Sequence, residues 1–372
     1  MRYVLRAFTI VAAPAVAFLL VSVVSPGELH AQVLRSRVVT LSRTDLGTLG
    51  GPDAEALAIN ERREIVGQST TVDGRKHAFK LGAAGMEDLT PGTLTSAARD
   101  INERSEVAGW AEVLGLRLPT TFSAGRAWVL PLPTSSRCRW SGEVRALNDI
   151  GSMTGVGSVS GGTTCFGAAG LYWPTSFSTV VYPGYAGQAY LSDINNLGWA
   201  VGSQPNRLGA STAAAFRNGE VRLLQKPTCP GTLDNHTTAS AINNAGVIVG
   251  THTCEQHGLA RWSSLDAAPA VFSIPAHWVG ASPTAINAQG VSVGVTSVRE
   301  ASGAYSQRPF IFGTDFPTTE LPLGPATSCA AFDLTDTVAS RLTVVGSCKV
   351  GAATRAIKWE LEFRPFVLPS TR

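Results

Sequence analysis

Ten residues, Ala241-Ile242-Asn243-Asn244-Ala245-Gly246-Val247-Ile248-Val249-Gly250, carry a pattern that recurs along almost the whole chain. Aligned on the Asn, the copies are Asn60 to Gly67, Asn102 to Gly109, Asn148 to Gly155, Asn195 to Gly202, Asn243 to Gly250 and Asn287 to Gly294. The Gly always lies seven residues after the Asn, and successive Asn residues are 42, 46, 47, 48 and 44 apart. A fixed internal spacing on a near-constant period means stacked or ring-forming repeats, and excludes a single irregular core.

Each copy reads as a β-hairpin. A short apolar run precedes the Asn, and a Val/Ile-rich run follows it. Asn-x-x-Gly between them, as in Asn195 to Gly198 or Asn287 to Gly290, is type I turn chemistry: Asn bonds the backbone ahead and Gly accepts positive φ. The first two copies replace this Gly by Arg63 and Ser105. The Gly in the second strand suits a bulge or a close backbone approach. A third element with an aromatic residue follows each hairpin. These are His77–Leu81, Arg126–Leu130, Ala169–Trp173, Ala214–Asn218, Gly258–Trp262, Arg308–Phe312 and Arg355–Trp359.

Seven such elements require a seventh hairpin, and Phe332 to Gly346 supplies it with a longer turn. A fourth apolar run closes each unit, as in Gly85–Leu89 or Gly219–Leu224. Four short strands per unit and units of 42 to 48 residues predict an all-β fold, a seven-bladed β-propeller of four-stranded blades. Residues 37 to 49 add a final-type strand without a blade of its own. Its pairing with the last blade, which ends in Glu360–Phe363, would close the ring and remove its edges.

Asp45-Leu46-Gly47-Thr48-Leu49-Gly50-Gly51, the Ala-Ile-Asn turns and His77-Ala78-Phe79 resemble the extracellular HAF-repeat proteins of bacteria. The resemblance covers roughly residues 40 to 360, with the full signature confined to the first unit. It implies an exported, propeller-like repeat protein, and it brings no catalytic residues.

Residues 1–31 have the layout of a secretory signal peptide: Arg2 and Arg6, the apolar run Ala7 to Val24, then Leu29-His30-Ala31 before Gln32. Residues 32–372 are read as one propeller domain in the periplasm or outside the cell, with no membrane contact after cleavage. Formal net charge is +3, and no basic tract stands out, which argues against nucleic acid as a partner. A closed propeller also works as a monomer.

Six cysteines in an exported chain predict three disulfides. Cys138 and Cys165, Cys229 and Cys254, and Cys329 and Cys348 flank the third, fifth and seventh hairpins. Antiparallel pairing brings each couple together, so the bonds are expected within units.

No catalytic, cofactor or metal motif emerges. The cluster His252-Thr253-Cys254-Glu255-Gln256-His257, with His236 upstream, is the richest in metal-ligand types, but Cys254 is assigned to a disulfide. The repeated Asn residues are read as turn formers, and His77 as structural. Two functions fit. The first is a non-catalytic binding scaffold whose protein or glycan partner docks on the rim holding the more variable loops between second and third strands, Glu112 to Gly125, Ser158 to Ala168 and Ser297 to Gln307. The second is a hydrolase or lyase acting on extracellular polysaccharide at the channel mouth, for which three convergent carboxylates would speak. The leader is directly checkable: mass spectrometry of the protein from its native cell should find a mature N-terminus near Gln32.

Overall fold

The computed structural model describes residues 34–367 apart from 93, 134–137, 161–166, 177, 183–188, 206–208, 230–234 and 255. The residues assigned to the leader, and Cys165, lie outside this set. Seven four-stranded antiparallel sheets surround a central channel. Blades 1 to 6 span residues 50–88, 96–129, 139–182, 190–223, 237–272 and 278–320. Blade 7 combines Ser328–Leu334, Arg341–Val350 and Ala353–Val367 with the N-terminal strand Leu34–Asp45 on its outside. That strand pairs antiparallel with the last one, from Leu34 opposite Val367 to Asp45 opposite Ile357. The ring is closed by chain ends more than 300 residues apart in sequence, as expected.

The Leu-Gly-Thr-Leu-Gly-Gly run joins this closing strand to the innermost strand of blade 1. Leu46 donates its amide to the Ala356 carbonyl, and Leu49 to the Ser69 hydroxyl. A Cβ on Gly51 would lie 2.4 Å from Thr70 Oγ1, so the second Gly of the pair leaves no room for a side chain.

Every innermost strand is bulged at one equivalent position, three residues before the turn Asn or, in blade 7, Thr335: the register skips at residues 57, 99, 145, 192, 240, 284 and 332. An antiparallel bulge bends the strand and pushes its backbone toward the partner. The second-strand glycines face these bulges, Gly67 opposite Ala56 and Gly202 opposite Leu191. A Cβ on Gly202 would stand 1.8 Å from the Tyr190 carbonyl oxygen, and one on Gly67 1.9 Å from that of Glu55. The repeat's most regular Gly is therefore fixed by a backbone collision, not by φ.

The turn glycines answer to φ instead: Gly151, Gly198, Gly246 and Gly290 have φ between 76° and 85°. Arg63 and Ser105 adopt the same left-handed geometry at 62° and 63°. The amide of the fourth residue bonds the Asn carbonyl, and the Asn amide bonds the carbonyl four residues on, as in Gly246 to Asn243 and Asn243 to Val247. This is a type I turn with a left-handed fourth residue.

The core lies between blades. Trp173, Trp262 and Trp359, on the third strands of blades 3, 5 and 7, are fully buried. Each indole N–H donates to a carbonyl just after the fourth strand of the preceding blade: Pro131, Gln225 and Pro322, at 2.8, 2.8 and 3.0 Å. Smaller residues such as Ala213 and Ala215 fill the facing positions.

Blade 2 differs from expectation. Arg126–Val129 is its fourth strand, and the third is Leu116–Ser123, in a segment read as loop. The turn into it is only Leu114-Gly115, both at positive φ. The Arg-Ala-Trp run imitates the third-strand pattern, while Pro119 masks the real strand; Pro119 still accepts from the Leu130 amide. Trp128 consequently sits on the perimeter, 56% exposed.

Cys229–Cys254 and Cys329–Cys348 are bonded, with Cα separations of 5.2 and 4.0 Å, and the latter is a directly opposed cross-strand pair. The two glycine classes make a testable contrast. Gly202→Ala should lower stability by about 3 kcal/mol, because backbone must move. Gly246→Ala meets open space and should cost only about 1 kcal/mol through φ. Urea midpoints of the two variants read the difference.

Candidate functional site

The first place to seek chemistry is the channel mouth on the Asn-turn side, a cavity of about 320 Å³. Its wall is made by the turns themselves. Each turn Asn Oδ1 accepts amides of its own turn, as Asn243 does from Ala245 and Val247 at 3.1 and 2.9 Å. Each Nδ2 then donates to the carbonyl of the equivalent residue in the next blade. The chain of bonds runs from Asn60 to Asn102, Asn148, Asn195, Asn243, Asn287 and finally Thr335. The Asn residues are thus turn formers and also a girdle linking all seven blades. The second role, which lies outside a single hairpin, was not expected.

A second girdle uses the next residue. The amides of Glu61, Glu103, Asp149 and Asn196 donate to side chains of Glu103, Asp149, Asn196 and Asn244. The amides of Ala288 and Asp336 continue it to Asp336 and Glu61. Thr335 has no side-chain amide to pass the first girdle from blade 7 to blade 1. That step is carried by the Asp336–Glu61 bond and by Arg63, which reaches Thr343 and Glu360.

Three carboxylates do meet at this mouth: Asp100, Asp193 and Asp333, from the inner strands of blades 2, 4 and 7. The sequence reading singled out none of them; the signal was Asp in place of Ala immediately before the Ile/Leu-Asn step. One oxygen of each accepts the amide of the following residue, Ile101, Ile194 or Leu334, at 2.7–2.8 Å. The other accepts an amide of the next blade: Leu147 from Asp100, Ile242 from Asp193 and Ile59 from Asp333, at 2.6, 2.8 and 2.8 Å.

Protein encloses the three except along the channel, where each keeps some accessible surface. Burial dominates their titration. It raises Asp193 to about 6 against the pull of its two N–H bonds, and Asp333 to about 7 with Asp193 and Glu61 adding to the rise. Asp100 is raised well above the usual range by burial first, then by Asp333 and Asp193. The cavity's arginines, Arg99 and Arg145, turn to Glu143, which Arg117 also contacts.

The opposite rim, where second strands turn into third strands, has a different concavity. A cleft of about 350 Å³ lies at the seam of blades 7 and 1, between Asp53, Glu55, Gln68, Lys76, Lys349 and Thr354. Asp53 accepts the Thr354 amide at 2.8 Å, and Gln68 donates to Glu55. Lys76 and Lys349 are exposed and have no ion-pair partner among the described residues. Beside the cleft, Val72 is 86% exposed.

The histidine cluster is dispersed into structural contacts. His252 accepts the Cys254 amide, and His236 that of Ser211. Burial, then His257, lowers the His252 pKa. No group of three His, Cys, Asp or Glu side chains among the described residues is placed to hold a metal. His77 is buried, with Nδ1 2.8 Å from Asp88 of the adjacent strand.

Fold and channel together define a seven-bladed propeller. No family model and no curated protein matches the sequence. Solved structures are similar to the chain at low identity. A protein of unknown function from Dyadobacter fermentans is 12% identical over 88% of this chain and 99% of its own, with a TM-score of 0.45. A puromycin-hydrolysing peptidase of Mycobacterium tuberculosis is 13% identical over 84% of this chain, with a TM-score of 0.50, and the match spans 50% of the peptidase. A gluconolactonase of Xanthomonas campestris is 13% identical over 90% of this chain and 91% of its own, with a TM-score of 0.40. At 13% identity the likeness to the peptidase speaks to the fold alone.

The girdle's contribution is measurable in one pair of variants. Asn243→Asp keeps the turn acceptor and loses the donor to Asn287; Asn243→Ala loses both. Thermal or urea unfolding should show both destabilised, Asn243→Ala by about 3 kcal/mol and the Asp variant by less.

Proposed function

We propose that the chain is an exported, non-catalytic recognition propeller of the HAF-repeat kind, which binds a polar protein or glycan partner on the rim opposite the Asn turns. The observation that carries this is where unspent polar groups lie. At the channel mouth the Asp100, Asp193 and Asp333 oxygens and the turn Asn amides are committed to bonds within and between blades. At the cleft between blades 7 and 1, the Lys76 and Lys349 ammoniums border open space with no ion-pair partner among the described residues, beside Asp53 and the bonded Glu55–Gln68 pair. A rigid scaffold that presents such groups on its turns is the usual setting for recognition.

The two disulfides fit an oxidising compartment, and with the leader read in residues 1–31 they support export to the periplasm or beyond. The three convergent carboxylates favour a second reading, a hydrolase or lyase acting on extracellular polysaccharide at the mouth. Each of these carboxyls is bonded to two backbone amides, one of them in the next blade, so the joint between blades is the role their geometry already serves.

The segments expected to carry recognition in blades 2 and 6 are mostly extended strands with short turns at their tips, Leu114-Gly115 and 300–304. Leu114 is 96% exposed and Tyr305 also projects, so these tips widen the same rim. Glycan and protein arrays probed with the mature protein should yield a partner whose binding falls about tenfold or more in Lys76→Glu/Lys349→Glu, with the melting temperature nearly unchanged. Binding that survives this double change and disappears on changes at Asn196 or Asn244 would move the site to the channel mouth.

A further inference from the structure

We propose that Asp100, Asp193 and Asp333 form a pH-sensitive lock on the ring: three carboxyl groups that staple neighbouring blades around one channel hold it tightest when uncharged and loosen it as they ionise together. Each joins a different pair of blades, 2 to 3, 4 to 5 and 7 to 1, through the amide of Leu147, Ile242 or Ile59. All three border the same cavity, so a charge on one is felt by the others.

The groups facing them make ionisation harder. Glu61, Glu103, Asp149 and Asp336 line the mouth and add negative charge. Arg99 and Arg145 are the cavity's cations, and both are drawn to Glu143. Two N–H donors per carboxyl favour the charged form but do not outweigh removal from water, to which repulsion by neighbouring carboxylates adds at Asp100 and Asp333.

The sign follows from linkage. A carboxyl with a folded pKa above its unfolded value binds more protons folded than unfolded in the interval between the two. Stability is then full below about pH 4 and is lost as pH rises through about 6 to 7. An ordinary structural carboxylate, paired with a cation, shows the opposite trend. With the lock ionised, three like charges share the channel, and water is drawn to the Asn-turn end. The blades there separate first at the stapled junctions.

The test uses the mature protein between about pH 5 and about pH 8, where ordinary carboxylates are already ionised. Thermal unfolding is followed together with hydrogen exchange at the Ile59, Leu147 and Ile242 amides, corrected for intrinsic rates. The melting temperature is expected to fall by several degrees as pH rises, and protection at these amides by about tenfold or more. The difference between wild type and Asp333→Asn or Asp193→Asn decides, because it cancels every other group that exchanges protons in this window. Both variants should be less stable at acid pH and show a flatter slope. A wild-type melt that is level or rises toward pH 8, or a slope unchanged in both variants, overturns the proposal. Should either variant fail to fold, wild-type exchange remains decisive: protection at the three amides that changes no more with pH than at Val66, Val156 and Val249 also overturns it.

Discussion

The bond from each turn Asn to the next blade's turn carbonyl is the interaction on which the rest of the ring depends. One side chain does two things at once. Its oxygen fixes the local turn, and its amide fixes where the neighbouring turn must stand. A propeller has no continuous sheet to set the angle between blades, since its sheets meet only through side chains. A hydrogen bond repeated at one position in six blades supplies that angle with directional precision, whereas the apolar packing behind it, of Trp, Phe and Ala, is tolerant of small rotations.

The bulge and its Gly follow from the same geometry. Directing the turn Asn and the preceding Ile or Leu toward the adjacent blade requires the inner strand to bend just ahead of them, and the bulge provides the bend. The displaced backbone then occupies the place of a Cβ on the second strand. The seven glycines from Gly67 to Gly346 are the imprint of that displacement on the sequence. Asp100, Asp193 and Asp333 add a third kind of staple at three junctions, leaving carboxyls in a channel that resists their ionisation.

Closure is handled differently from the other junctions. The stretched seventh turn puts Thr335 where an Asn would donate, and the ring is completed by Arg63, Glu61 and Asp333 along with the N-terminal strand. The seam so formed also contains the polar cleft on the opposite rim. Two lysines are left open there, beside a bonded carboxylate–amide pair, at the junction assembled from the two ends of the chain.

The sequence by itself determined blade number, hairpin turns, closing strand and cysteine pairing within the fifth and seventh units. All of these are local, or repeat with a period, so spacing and turn chemistry carry them. It misassigned the third strand of blade 2, where Pro119 obscured one strand and Arg126-Ala127-Trp128 imitated another. Only the tertiary structure decided what the Asn amides bond to, why the second-strand glycines are obligatory, and that three aspartates 93 to 233 residues apart face one channel. Nor could spacing place Lys76 beside Lys349. Convergence between blades depends on the direction of side chains across the ring, and no regularity along a single chain encodes it.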